Sequence, residues 1–246
     1  VWIALVEETV DSLPPVRALI VEHDPLSKPE RVGHHLELRG VTMEHFVVVD
    51  DIDDPEVTVA FPEPEGHDLL VLMGAPWSAY DPRVQGWVRP EVEFVRNHLD
   101  RDTPVLGICF GAQLMSMSLG GTVSQSTRPE YGWGTIESAE PAIAPGPWFQ
   151  YHGDEFTLPD EAVALAHNDS GLQAFGFRGS LAVQFHPEVT APLLESWCSV
   201  GGDRKLIEAG IDPERLITET AHMARVTQPA LERLLDWWLE GLASAN

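Results

Sequence analysis

One stretch constrains this chain more than any other: Gly107-Ile108-Cys109-Phe110-Gly111-Ala112-Gln113. The apolar run Pro104-Val105-Leu106-Gly107-Ile108 reads as a short strand of the kind buried at a sheet centre. It leads straight into a cysteine with a glycine two residues before and two after, and a helix follows that ends at Gly120-Gly121. A tight strand-to-helix turn of this type lifts one side chain out of the sheet as a nucleophile elbow. Side chains at the two glycine positions would collide with neighbouring backbone. A lone cysteine is ordinarily a buried packing residue. The glycine frame, with the sulfur at a helix N-terminus that favours negative charge, points to a reactive thiolate instead.

The rest of the chain agrees with an α/β fold, a mainly parallel sheet with helices on both faces. Ala18–Glu22 reads as a first firm strand, Pro29 opens a helix toward Leu36 and Leu38 closed by Gly40, and His45–Val49 reads as a second strand. A loop rich in Pro, Asp and Glu from Asp50 to Gly66 precedes a third, Leu69–Met73. Val84, Val88, Val92, Val95 and Leu99 follow at helical spacing, with Pro90 expected to split the stretch. From Thr122 to His186 short strands separated by Gly, Pro and Asn dominate, including Leu172–Phe177 and Leu181–Phe185 around Arg178-Gly179-Ser180. The pattern turns helical from Ala191, and the last helix, opening near Pro229, carries Leu231, Leu234, Leu235, Trp238 and Leu242 on one face. Residues 1–16 are ambiguous, with Val1–Val6 a candidate strand. The division expected is thus 1–16 as an extension, 17–190 as the main domain and 191–246 as a helical tail packed on it.

Charge excludes some partners. Fifteen basic residues against 39 acidic ones give −24, which repels nucleic acid and anionic membrane surfaces. No apolar run reaches the roughly 18–20 residues needed to span a bilayer. The start, Val1–Val6, is followed at once by Glu7, Glu8 and Asp11 with no basic residue before it, a poor secretion signal. With only Cys109 and Cys198 present, reduced cysteines and a cytoplasmic setting are expected. Cys198 reads as a packed helix residue, and Trp197, Trp237 and Trp238 as core or contact surface. The ten histidines are scattered, and His34 and His35 on a helix point about 100° apart, so no metal and no cofactor are expected.

Two further segments carry chemistry. In Phe185-His186-Pro187-Glu188 a strand ends in a histidine, proline stops it, and a carboxylate follows. A cysteine nucleophile needs a base, and the base needs an orienting partner; His186 and Glu188 suit those roles. In Met73-Gly74-Ala75-Pro76-Trp77-Ser78, small residues leave the third strand. There the N–H of Ala75 could form half of an oxyanion hole and that of Phe110 the other half.

Together these segments resemble the class I glutamine amidotransferase family, in particular stand-alone members similar to the amidotransferase domain of GMP synthetase. The family has a Gly-x-Cys-x-Gly-x-Gln elbow, a downstream His-Pro-Glu and an upstream Gly-Gly-Pro loop. Cys109, Gln113, His186 and Glu188 match residue for residue, whereas Gly74-Ala75-Pro76 places a methyl group where the family has a second glycine. Glu130-Tyr131-Gly132-Trp133 and His152-Gly153-Asp154 look like the family's pocket segments. The resemblance implies a flavodoxin-like fold and a Cys109–His186–Glu188 triad that hydrolyses the glutamine side-chain amide. It implies a glutamate-binding set of Gly74, Gln113, Tyr151, Gly153 and Asp154. It also implies ammonia passed to an acceptor, by way of a synthase partner chain; a homo-oligomer is the alternative assembly. The chain shows no Gly-x-x-x-x-Gly-Lys-Ser/Thr phosphate loop for such an acceptor half. A γ-glutamyl peptidase using the same nucleophile is the alternative activity, and a non-catalytic regulatory protein of the same fold is a third.

Overall fold

In the computed structural model, which describes residues 16–63 and 65–244, the main sheet grows outward from β1 (Arg17–Glu22). This strand pairs in parallel with β2 (Thr42–Val47) on one side and β3 (Leu69–Leu72) on the other. Next come β4 (Val105–Ile108), parallel to β3, and β10 (Ser180–Val183), parallel to β4. Beyond β10 the sheet turns antiparallel through β9 (Gly171–Phe177), β8 (Val163–Asn168) and the short β6 (Glu137–Ser138). A separate two-stranded ribbon joins β5 (Val123–Gly134) to β7 (Trp148–Phe156).

Period-two alternation divides the strands between two cores. Ala18, Ile20, Val71, Leu106 and Val183 face one side, where α1 (Glu30–Leu38) and α7 (Gln228–Ser244) cover them with Val32, Leu36, Leu231, Leu234, Leu235 and Trp238. Leu19, Val21, Leu70, Leu72 and Val105 face the other, against α2 (Gln85–Asp100) and α3 (Phe110–Ser118). Because helices bury both faces, the central strands read as continuous apolar runs. Helices α4 (Ala191–Trp197), α5 (Asp203–Glu208) and α6 (Pro213–Val226) follow, and residues from α4, α5 and α6 pack with Phe149 of the β5–β7 ribbon in a third cluster. The apolar face expected on the last helix forms as read. Polar ties reinforce α7: Arg39 makes a bidentate pair with Asp236, and the Trp238 indole donates to Gly179 O at 2.9 Å.

Pro90 does not split its helix. α2 runs unbroken from Gln85 to Asp100 with Pro90 inside. Proline removes one backbone bond and crowds the carbonyl four residues earlier. Trp87, Val88, Phe94, Val95 and Leu99 are buried on the sheet, and that packing holds the helix across the defect. The second strand also lies earlier than its sequence suggests, at Thr42–Val47 rather than His45–Val49. Val48 and Val49 are buried after it, bonding back to Glu22 O and His23 O. The Val1–Val6 strand expectation lies outside the described residues, among which no helix is long and apolar enough to cross a membrane.

Candidate active site

Cys109 sits where β4 passes into α3, with φ 51° and ψ −103°. The local sequence makes that turn possible. A Cβ on Gly107 would lie 2.7 Å from Gly111 O, and one on Gly111 would lie 2.3 Å from Leu72 O, both forbidden contacts. Backbone bonds from Cys109 N to Val183 O (2.8 Å) and from Gly111 N to Met73 O (3.1 Å) tie the elbow to the flanking strands.

Because β4 and β10 are parallel neighbours, with Ile108 opposite Val183, their C-terminal ends deliver Cys109 and His186 to the same edge of the sheet. That is the edge where α/β sites form. Both residues are almost fully buried, as is Glu188. His186 Nδ1 lies 2.6 Å from Glu188 Oε1, which as a carboxylate oxygen accepts, so Nδ1 donates. Nε2 and Glu188 Oε2 have no hydrogen-bond partner among the described residues. Burial works against a charged ring here, but the charges of Glu188 and the Cys109 sulfur outweigh it and push His186 up to about 10. Such an imidazolium beside a sulfur suits a thiolate–imidazolium pair.

A cavity of ≈ 290 Å³ is lined by Gly74, Ala75, Tyr151, His186, Glu188 and Trp197 among others, while Cys109, Phe110 and Gln113 do not line it. Gly74 presses close: a Cβ there would stand 3.0 Å from His186 Cε1 and 3.9 Å from Cys109 Cβ. Ala75 follows it in the loop, and Phe110 is the first residue of α3. Gln113 is buried one helical turn after Cys109, whose carbonyl accepts its N–H. Gly153 and Asp154 lie on β7 and do not line this cavity; Asp154 Oδ1 instead accepts from the Tyr80 hydroxyl at 2.7 Å. Glu130 and His152 face each other across the β5–β7 ribbon, 3.3 Å apart. Burial would raise the Glu130 carboxyl, but His152 and Asn168 hold it below the ordinary carboxylate range.

Three features at the site were not singled out in the sequence. The Gln184 side-chain amide donates to Cys109 Sγ at 3.5 Å, and its Oε1 is buried without a partner among the described residues. Gln184 lies just past the end of β10 and two residues before His186. Trp197, expected as core or contact surface, lines the cavity and meets the His186 ring edge-on at 5.1 Å. Arg204 and Lys205 also line it, and neither enters an ion pair among the described residues. Both cysteines are free, and no group of three or more His, Cys, Asp or Glu among the described residues is arranged to hold a metal.

A family model for glutamine amidotransferase class-I matches residues 30–194. GMP synthase [glutamine-hydrolyzing] of Bartonella henselae is 33% identical over 137 residues, 50% of this chain and 25% of that protein. Its counterpart in Thermomicrobium roseum is 36% identical over 132 residues, 49% of this chain and 23% of that one. The matched region thus spans about a quarter of these relatives. Among solved structures, a glutamine amidotransferase from Thermotoga maritima superposes with a TM-score of 0.77 at 24% identity, covering 93% of this chain and 100% of that one. One from Methylobacillus flagellatus gives 0.75 at 22% identity, covering 94% and 96%. These likenesses agree with the flavodoxin-like fold expected from the sequence.

Proposed function

This chain belongs to the class I glutamine amidotransferase family, and from that premise we propose that it hydrolyses the glutamine side-chain amide through a thioester on Cys109. The observation that carries this reading is the convergence of Cys109, His186 and Glu188 at the ends of two adjacent parallel strands, with the His186–Glu188 bond at 2.6 Å.

In the reaction, Cys109 Sγ attacks the amide carbon as its thiolate, the thiol proton having passed to His186. The carbonyl oxygen becomes an oxyanion facing the N–H groups of Ala75 and Phe110. Collapse of the adduct breaks the C–N bond, and His186 gives its proton to the departing nitrogen, releasing ammonia. Water, deprotonated by the now neutral His186, then cleaves the γ-glutamyl thioester and returns glutamate and free thiol. Glu188 holds the ring with Nε2 toward the chemistry. Gly74 and Tyr151, which line the cavity, are assigned to the glutamate portion, within a catalytic unit of residues 17–190; Gln113, Gly153 and Asp154, implied by the family resemblance, lie off the cavity. The relatives' description as glutamine-hydrolysing GMP synthases supports an acceptor supplied by a synthase partner.

A second reading is favoured by one observation. Arg204 and Lys205 line the cavity without an ion-pair partner among the described residues, Lys205 Nζ donating to Pro76 O at 3.5 Å, in a chain of net charge −24, which suits a substrate with an anionic leaving portion. That reading is γ-glutamyl peptide hydrolysis by the same thiol. The test compares ammonia release from glutamine with amino-acid release from a γ-glutamyl dipeptide and glutathione, using Cys109→Ala as the blank. Ammonia from glutamine supports the first reading, and preferential peptide cleavage supports the second. Turnover of neither above the blank, with or without a synthase partner, overturns both.

A further inference from the structure

A second buried histidine–glutamate pair lies behind the Gly74–Ala75 loop. His23 follows β1 and Glu91 reaches it from α2; neither side chain is exposed at all. His23 Nδ1 is 3.0 Å from Gly74 O, and Nε2 is 3.0 Å from Glu91 Oε1. Phe110 meets the ring edge-on at 4.8 Å and Trp87 lies 5.8 Å away, so both pack against it. A carbonyl oxygen only accepts, so Nδ1 brings a proton to Gly74 O, and with Glu91 as a carboxylate Nε2 brings another and the ring is an imidazolium. Burial opposes that charge, but Glu91 and the Gly74 carbonyl overcome it and raise the ring above its ordinary value.

Gly74 O and the Ala75 N–H belong to one planar peptide unit. In a trans peptide they point in opposite directions, so fixing the carbonyl fixes the N–H. His23 does not line the cavity, whereas Gly74 and Ala75 do. Holding Gly74 O toward His23 therefore turns the Ala75 N–H away from it, to the cavity side. A charged donor on the carbonyl also polarises the unit, and linked hydrogen bonds strengthen one another.

We propose that His23, held by Glu91, is a positioning residue that locks the Gly74–Ala75 peptide with its N–H presented to the reacting carbonyl, so that the oxyanion hole is preformed. The inference rests on the proposed hydrolysis for the identity of that carbonyl.

The experiment has two arms. In the first, His23→Leu/Glu91→Leu removes the pair without orphaning a buried charge, and His23→Asn/Glu91→Leu keeps an amide donor near the Nδ1 position. Losing an oxyanion donor outright costs about 10²–10³ in kcat, so misorienting one is expected to lower kcat roughly 10–100-fold. KM should stay within about threefold, because the contact acts in the transition state. Alkylation of Cys109 by iodoacetamide, which forms no oxyanion, should be unchanged, and the Asn variant should recover about tenfold of the lost kcat. Unchanged kcat, alkylation falling in step with kcat, or absence of rescue each overturns the inference. In the second arm, ¹⁵N NMR of the wild-type His23 ring at pH 7.5 should show both nitrogens protonated; a neutral ring overturns it whatever the activity. A wild type inert toward every γ-glutamyl substrate defeats the hydrolytic reading alone, because the ring measurement needs no turnover.

Discussion

The charge on the buried His186 ring depends on two neighbours. Glu188 and the Cys109 sulfur hold it near 10 against the pull of burial. Glu188→Gln keeps the shape and removes that charge, leaving only the Cys109 sulfur against burial, so the ring should titrate well below its wild-type value. An NMR pH titration reads this directly, and kcat should fall roughly 10²–10⁴-fold. The sign for stability follows. A ring raised in the folded state contributes fully below about pH 6.5 and loses that contribution as pH climbs through 10. Urea melts at pH 6.5 and 10 should therefore show a larger alkaline loss in the wild type than in the variant. Cys109, His186 and Glu188 were legible in the chain because local features mark them: glycines two residues away, or a proline between two polar groups. His23 and Glu91 were not, because 68 residues separate them and nothing on either side announces the partner. Only the parallel sheet, which ends β1, β3 and β4 on one edge, brings them to the Gly74 loop.

At the scale of elements, α3 depends on a glycine at each end for two different reasons. Gly111 has no room, since an added Cβ would meet Leu72 backbone at 2.3 Å. Gly120 has room but an unusual backbone, with φ +89° and nothing within 4 Å of the added carbon. Gly111→Ala should cost about 3 kcal/mol in urea denaturation and abolish turnover by shifting the turn. Gly120→Ala should cost only about 1–2 kcal/mol, the strain of a left-handed L-residue, and leave kcat nearly untouched. Start and stop signals at Pro29 and Gly40 located α1, helical periodicity located α2 and α7, and turn chemistry located the β9–β10 hairpin, where Arg178 and Gly179 both have positive φ. Other element features escaped a linear reading. Proline's local preference was outweighed inside α2 by packing on the sheet. The β5–β7 ribbon and the position of Trp197 over His186 follow from long-range pairing, which residue spacing does not encode.

For the whole molecule, the helical tail and the sheet share one interior. Leu231, Leu234 and Leu235 of α7 are fully buried with Ile20, Val71 and Leu106. Leu234→Ala should cost about 2–5 kcal/mol, and far- and near-UV CD should still report one coincident unfolding transition, because α7 has no core of its own. Thirty-nine acids against 15 bases repel one another across the surface. Raising NaCl from about 0.02 to 0.5 M should therefore raise Tm by several degrees as that repulsion is screened. One feature of the elbow then reaches the stability of the entire chain. With φ 51° and ψ −103°, Cys109 occupies a backbone state that only glycine adopts without strain, and such states cost on the order of 1–3 kcal/mol. Cys109→Ala inherits that tension and Cys109→Gly releases it, so the glycine variant should melt above both alanine variant and wild type. The gap between the two inactive proteins measures how far the molecule gives up robustness to keep its sulfur cocked.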